Sequence, residues 1–208
     1  MTRNISHLRS RSLPVLVMLA AGLILLAVPG AQTQFTSWPV SQAPAEFQLV
    51  IARADLVVAA MQDSVLRELT DALSRGGPAS AISFCHLDAT FLAQRVGKAE
   101  GIAAGRTSDR LRNPTNAPKP WAAALVQTHA GKQARSVEGF AVDLGEKVGV
   151  LRPISERAMC AGCHGPVEQL SPAVKDVLLD RYPVDRAVGF KEGEIRGWFW
   201  VEMPKRPR

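Results

Sequence analysis

Cys160-Ala161-Gly162-Cys163-His164 constrains this chain more than any other stretch of its sequence. Cysteines three apart on one turn of chain present their sulfurs on the same side. Both can then form thioethers with the two vinyl groups along one porphyrin edge. His164 follows at once and is carried beneath the ring, where a neutral imidazole nitrogen can ligate iron. The run predicts one covalent haem c, with Cys160 and Cys163 as attachment points and His164 as proximal ligand. Three rival uses exist. A thioredoxin-like pair expects a cytosolic βαβ context. A zinc site needs a fourth ligand from Cys85, His86 or His129, none at zinc-finger spacing. The third is a plain disulfide.

The N-terminus argues for export. Arg3, Arg9 and Arg11 precede an apolar stretch, Leu13 to Val28, which Pro29-Gly30-Ala31 ends. This order reads as a signal peptide over residues 1–31 and predicts a periplasmic protein. An uncleaved leader tethering the protein to a membrane through residues 13–28 is the alternative, since the stretch is just short of a spanning helix. Without residues 1–31 the formal charge falls from +6 to +3, three arginines going and no acid. The remaining basic residues are scattered, which excludes a nucleic-acid partner. Three cysteines are too few for a disulfide scaffold. Haem claims two of them, and Cys85 is left over.

Residues 32–44 read as a polar, proline-punctuated linker, residues 45–204 as one domain, and residues 205–208 as a basic tail. From Ala45 to Ser74, Leu49, Val50, Val57, Val58, Met61, Val65, Leu69 and Leu73 recur at helical spacing, and Arg75-Gly76-Gly77 stops that long helix. Pro78 to Val96 reads as a second helix, its proline harmless in the first turn. Gly105 to Pro120 reads as a loop, its three closely spaced prolines forbidding regular structure. Trp121 to His129 and Pro172 to Leu179 read as short helices, and Phe140 to Leu144 with Val148 to Ile154 as strands around Gly145-Glu146-Lys147. Val188 to Phe190 and Ile195 to Glu202 suggest a hairpin across Lys191 to Glu194. Trp198 and Trp200 alternate with Phe199, which suits core packing on two faces. There is no internal repeat and no second attachment motif. The order of elements predicts an α+β fold with an antiparallel sheet.

Four segments then carry a resemblance: GRTSDRLRNPTNAP (105–118), RPI (152–154), CAGCHG (160–165) and YPVDRAVGFKEGEIRGWFWVEMP (182–204). Together they resemble the family of exported single-haem c domains with a PAS-like fold, long catalogued as a domain of unknown function, over about Ala45 to Pro204. The resemblance implies a PAS-like antiparallel sheet flanked by helices, with a long N-terminal helix and a haem held against the sheet. It also implies that Cys85 approaches the far side of the iron. On the residues alone, Cys85 on an apolar helix face is equally a small buried hydrophobe. His86 competes with it, because neighbouring helix residues point about 100° apart. Thiolate ligation disfavours reduction, whereas a thioether from Met61, Met159 or Met203 raises the potential.

Arg106 and Arg112 are candidates to bind the haem propionates, since guanidinium forks hold carboxylates bidentately. A solvated connector shaped by Asn113 and Asn116 is the alternative. Three functions suit such a chain. A redox or diatomic-ligand sensor comes first; having no output domain in this sequence, it needs a separate signalling receptor. A one-electron carrier with a redox partner protein is second. A peroxidase is last, since only His86 or His129 could act beside the iron, and the chain is expected not to be an enzyme.

Overall fold

A computed structural model describes residues 35–87, 95, 98 and 102–206. The leader and the Leu13 to Val28 stretch lie outside the described residues, as does most of the predicted second helix beyond Leu87. Among the described residues no helix is long and apolar enough to cross a membrane.

Five strands form one antiparallel sheet: β1 (Ser37–Pro39), β2 (Ala103–Thr107), β3 (Phe140–Asp143), β4 (Lys147–Ser155) and β5 (Ile195–Pro204), in the order β1-β3-β4-β5-β2. The β3–β4 hairpin closes at Gly145, whose φ of 78° suits a residue without Cβ and whose N–H donates to Asp143 Oδ1 at 2.8 Å. Among the described residues four α-helices accompany the sheet: α1 (Gln48–Leu87), α2 (Pro120–Thr128), α3 (Ala161–His164) and α4 (Pro172–Arg181).

Alternation along the strands assigns the two faces. Phe199, Val201 and Met203 of β5, with Val148 and Val150 of β4, meet Val50, Ile51, Ala54, Val57, Val58 and Met61 of α1. Trp198 and Leu151 point the other way and pack with Trp121, Ala122 and Val126 of α2. Each large aliphatic side chain buried this way contributes about 1.5–3 kcal/mol. Met61 and Met203 are spent in this core. A forked ion pair also joins helix to sheet: Arg152 Nε and Nη2 each lie 2.7 Å from a different oxygen of Asp55.

Helix α1 is two helical segments meeting at a kink. Gly76 (φ −152°) and Gly77 (φ 64°, ψ −160°) leave helical geometry, and Pro78 opens the second segment. The second value lies where only glycine is comfortable. Ile82 of that segment packs with Leu170, Val174 and Leu178 and with Tyr182.

The structure corrects three expectations. The linker over 32–44 contains β1, which pairs with β3, and a 3-10 turn at Val40–Gln42. The loop expected from Gly105 begins inside a strand, β2, because residues 103–107 pair with β5 and Trp200 lies across Gly105. Val188 to Phe190 form no hairpin strand. Gly189 and Phe190 donate instead to the carbonyls of Gly165 and His164 at 2.8 and 3.0 Å.

Candidate functional site

One cavity gathers most of the residues singled out in the sequence. It lies beneath the Cys160–His164 turn and is lined by Cys160, Cys163, His164, Cys85, Arg106 and Arg112, with apolar walls from Leu69, Leu73 and Ile82. Its empty volume, open mouth included, is ≈ 1170 Å³.

The Cys160–His164 turn is short and heavily tied. Cys160 N donates to Arg157 O at 2.8 Å, and Gly165 N closes the single turn of α3 on Ala161 O at 2.9 Å. His164 Nδ1 lies 2.7 Å from Ala187 O. A carbonyl only accepts, so this contact fixes the proton on Nδ1 and leaves the Nε2 lone pair for a ligand. Burial, followed by the charges of Arg196 and Arg112, holds the imidazole well below its usual range, against the Ala187 bond. His164 is thus neutral, the state in which imidazole ligates. None of the three cysteines is in a disulfide among the described residues. Burial pushes the Cys163 thiol up, with Arg112 opposing.

Arg112 braces the turn. Its Nε donates to Asp185 Oδ2 at 3.0 Å, and its Nη2 donates to Cys163 O at 2.6 Å and Ala187 O at 3.2 Å. The side chain is only 9% exposed. With those donors committed, it holds the two carbonyls that flank His164. Arg110 does similar work one layer out: it stacks 3.5 Å over Phe190, donates to Val188 O at 3.0 Å and pairs with Glu194. Asn113 caps the Pro114–Asn116 turn through Thr115 N.

Arg106 differs. It is half-buried on β2, and the charges acting on it among the described residues are Cys85, Arg196 and Tyr182, with no carboxylate. Burial pushes its guanidinium down, and Cys85 pulls it back up. It lines the cavity as a cation without an acidic partner. Cys85 enters from the second segment of α1, and burial followed by Cys85 pushes the Tyr182 phenol up to about 12. The side chain of His86 lies outside what is described. His129 is remote from this chemistry, packed on Phe140 and Trp198 and hydrogen-bonded to Leu125 O at 2.8 Å.

The donor set matches a porphyrin-attachment site. No three His, Cys, Asp or Glu side chains among the described residues converge to hold a bare metal ion. Two thiols and one imidazole with a free Nε2 instead share a largely apolar cavity with Arg106, which meets no carboxylate among the described residues. Sequence reasoning missed Arg196. β4 and β5 slip register where Ile154 faces Gly197 but Ser155 faces Ile195. Arg196 is the extra residue of that bulge, which re-aims its side chain to the cavity. No sequence signal marks a bulge of this kind.

Residues 40–204 match the model of the Tll0287-like family, described as Tll0287. Among solved structures the chain is similar to one titled "Crystal structure of the cyanobacterial heme-protein Tll0287", at 23% identity and a TM-score of 0.42, over 70% of this chain and 93% of that one. No curated protein matches.

Proposed function

The chain belongs to the Tll0287-like family, and from that premise and the cavity we propose that it is an exported, non-enzymatic haem c protein that senses redox state or a diatomic ligand. The observation that carries this reading is one cavity holding both cysteines of the attachment motif, a neutral His164 with Nδ1 engaged, and Cys85.

Bound there, a haem supplies a reversible one-electron couple and a sixth position open to exchange. Cys160 and Cys163 would hold it by thioethers, and His164 Nε2 would ligate the iron. Arg106 would take a propionate, as a half-buried cation lining the cavity that faces no carboxylate among the described residues. Cys85 would be the second protein ligand to the iron, as a thiolate that would keep the potential low. The Gly76–Gly77 break gives its segment a hinge, so ligand exchange at Cys85 can be felt as movement of Pro78–Leu87. A receptor elsewhere would read that movement, and residues 1–31 would deliver the protein to the periplasm.

A carrier role is the second reading, favoured by Met159 at 50% and Val167 at 44% exposure beside the attachment turn. Apolar surface there suits brief docking of a redox partner. Optical and EPR spectra of Cys85→Ser test the ligand. A changed low-spin signature is expected, and an unchanged one removes Cys85 from the iron. Carbon monoxide binding with loss of the native sixth ligand supports sensing, whereas fast exchange with a partner cytochrome at a moderate potential supports the carrier.

A further inference from the structure

We propose that Glu156 takes up a proton when the cofactor gains an electron, with Arg196 relaying the charge change from the cavity. The inference rests on the haem reading above.

Glu156 follows directly on β4 and is 2% exposed. Its backbone is fixed on both sides, N–H donating to Glu194 O at 2.8 Å and C=O accepting from Gly193 N at 2.9 Å. Its side chain is poorly satisfied. Oε2 lies 3.0 Å from Arg196 Nε, yet among the described residues neither carboxylate oxygen nor that Nε makes an aligned hydrogen bond. A native fold rarely leaves such atoms buried without an aligned hydrogen bond. Arg196 in turn lines the cavity with Cys160, Cys163 and His164, while Glu156 stands behind it. The carboxylate therefore feels the cavity through one guanidinium.

The surrounding charges leave it near balance. Arg196 from β5 and Arg110 and Arg112 from the segment after β2 favour the ionised form. Glu194, from the turn before β5, opposes it, although Arg110 and Lys191 N already engage that side chain. Burial outweighs the rest, and the Glu156 carboxyl is pushed up to about 7. An electron arriving in the cavity removes one positive charge from the field that keeps the carboxylate ionised. Proton affinity at Glu156 then rises. The balance is simple. A one-electron donor is oxidised, iron(III) becomes iron(II), and one proton from solvent joins a Glu156 oxygen; reoxidation reverses each part.

The test is the midpoint potential of the pigmented protein as a function of pH. The wild type is expected to fall by about 59 mV for each tenfold drop in proton activity around neutrality. Glu156→Gln, an isosteric mimic of the protonated form, is expected to stay flat at the wild type's acidic plateau. Arg196→Gln is expected to move the sloping region to higher pH. A flat wild type, or a slope that survives in Glu156→Gln, overturns the proposal and leaves the haem reading intact. A colourless protein after maturation overturns both. Independently of any variant, the reduced-minus-oxidised infrared spectrum of the wild type should gain a protonated-carboxyl stretch at neutral pH; absence of that band also overturns the proposal.

Discussion

The two walls of the cavity are built by different physics. On the His164 side, a one-turn helix is held by directional polar bonds: Arg112 to two carbonyls, His164 Nδ1 to Ala187, and Phe190 N back to His164 O. On the Cys85 side, the segment after Gly77 meets its neighbours through apolar packing, with Ile82 seated among Leu170, Val174, Leu178 and Tyr182. Hydrogen bonds specify one geometry, whereas packed side chains tolerate small slides and hinge motions. On the proposed haem reading, such a site would keep His164 fixed and let Cys85 exchange.

The contrast can be broken in steps. Losing attachment gives the largest effect: Cys160→Ser with Cys163→Ser should leave no pigment bound to the denatured chain, checked by haem staining after acid-acetone extraction. Arg112→Ala comes next. It strands Asp185 and frees the carbonyls on either side of the proximal turn, at a cost of about 3–5 kcal/mol for breaking a buried pair. Denaturant unfolding should show that loss, together with poor haem incorporation. Ile82→Ala should cost about 2–4 kcal/mol as a large-to-small core change. Unlike Arg112→Ala, it should retain the haem and speed carbon monoxide binding to the reduced protein. Equal loss of pigment in both variants would erase the distinction between the walls. Gly77→Ala is the mildest, about 1–2 kcal/mol for a side chain at a positive φ. Its signature is an altered ligand-binding rate with attachment and His164 ligation unchanged.

The sequence reading succeeded where a local pattern decides the structure. Helix α1, its stop at Gly76-Gly77 and the β3–β4 hairpin follow from apolar periodicity and turn chemistry. The short turn over Cys160–His164 is local too. What escaped depends on residues far apart in the chain. Ala103 to Thr107 has little strand character of its own, and it is a strand because β5 offers a partner and Gly105 makes room for the Trp200 ring. Arg106 was thereby placed in a loop when it stands on the sheet. Arg112 was expected to face a propionate, and only the folded chain brings Asp185, Cys163 and Ala187 to it. Glu156 and Arg196 are ordinary letters until burial and a bulge set them side by side.

The fork between Asp55 and Arg152 bears on where any signal can go. It rivets the first segment of α1 to the middle of the sheet, so residues 48–75 cannot slide or roll as a piston without breaking two short bonds. On the proposed sensing role, strain born at Cys85 would find its outlet at the paired glycines. A docking receptor would have to feel for the corner formed by Pro78–Leu87 and α4, because the far end of the long helix stays silent.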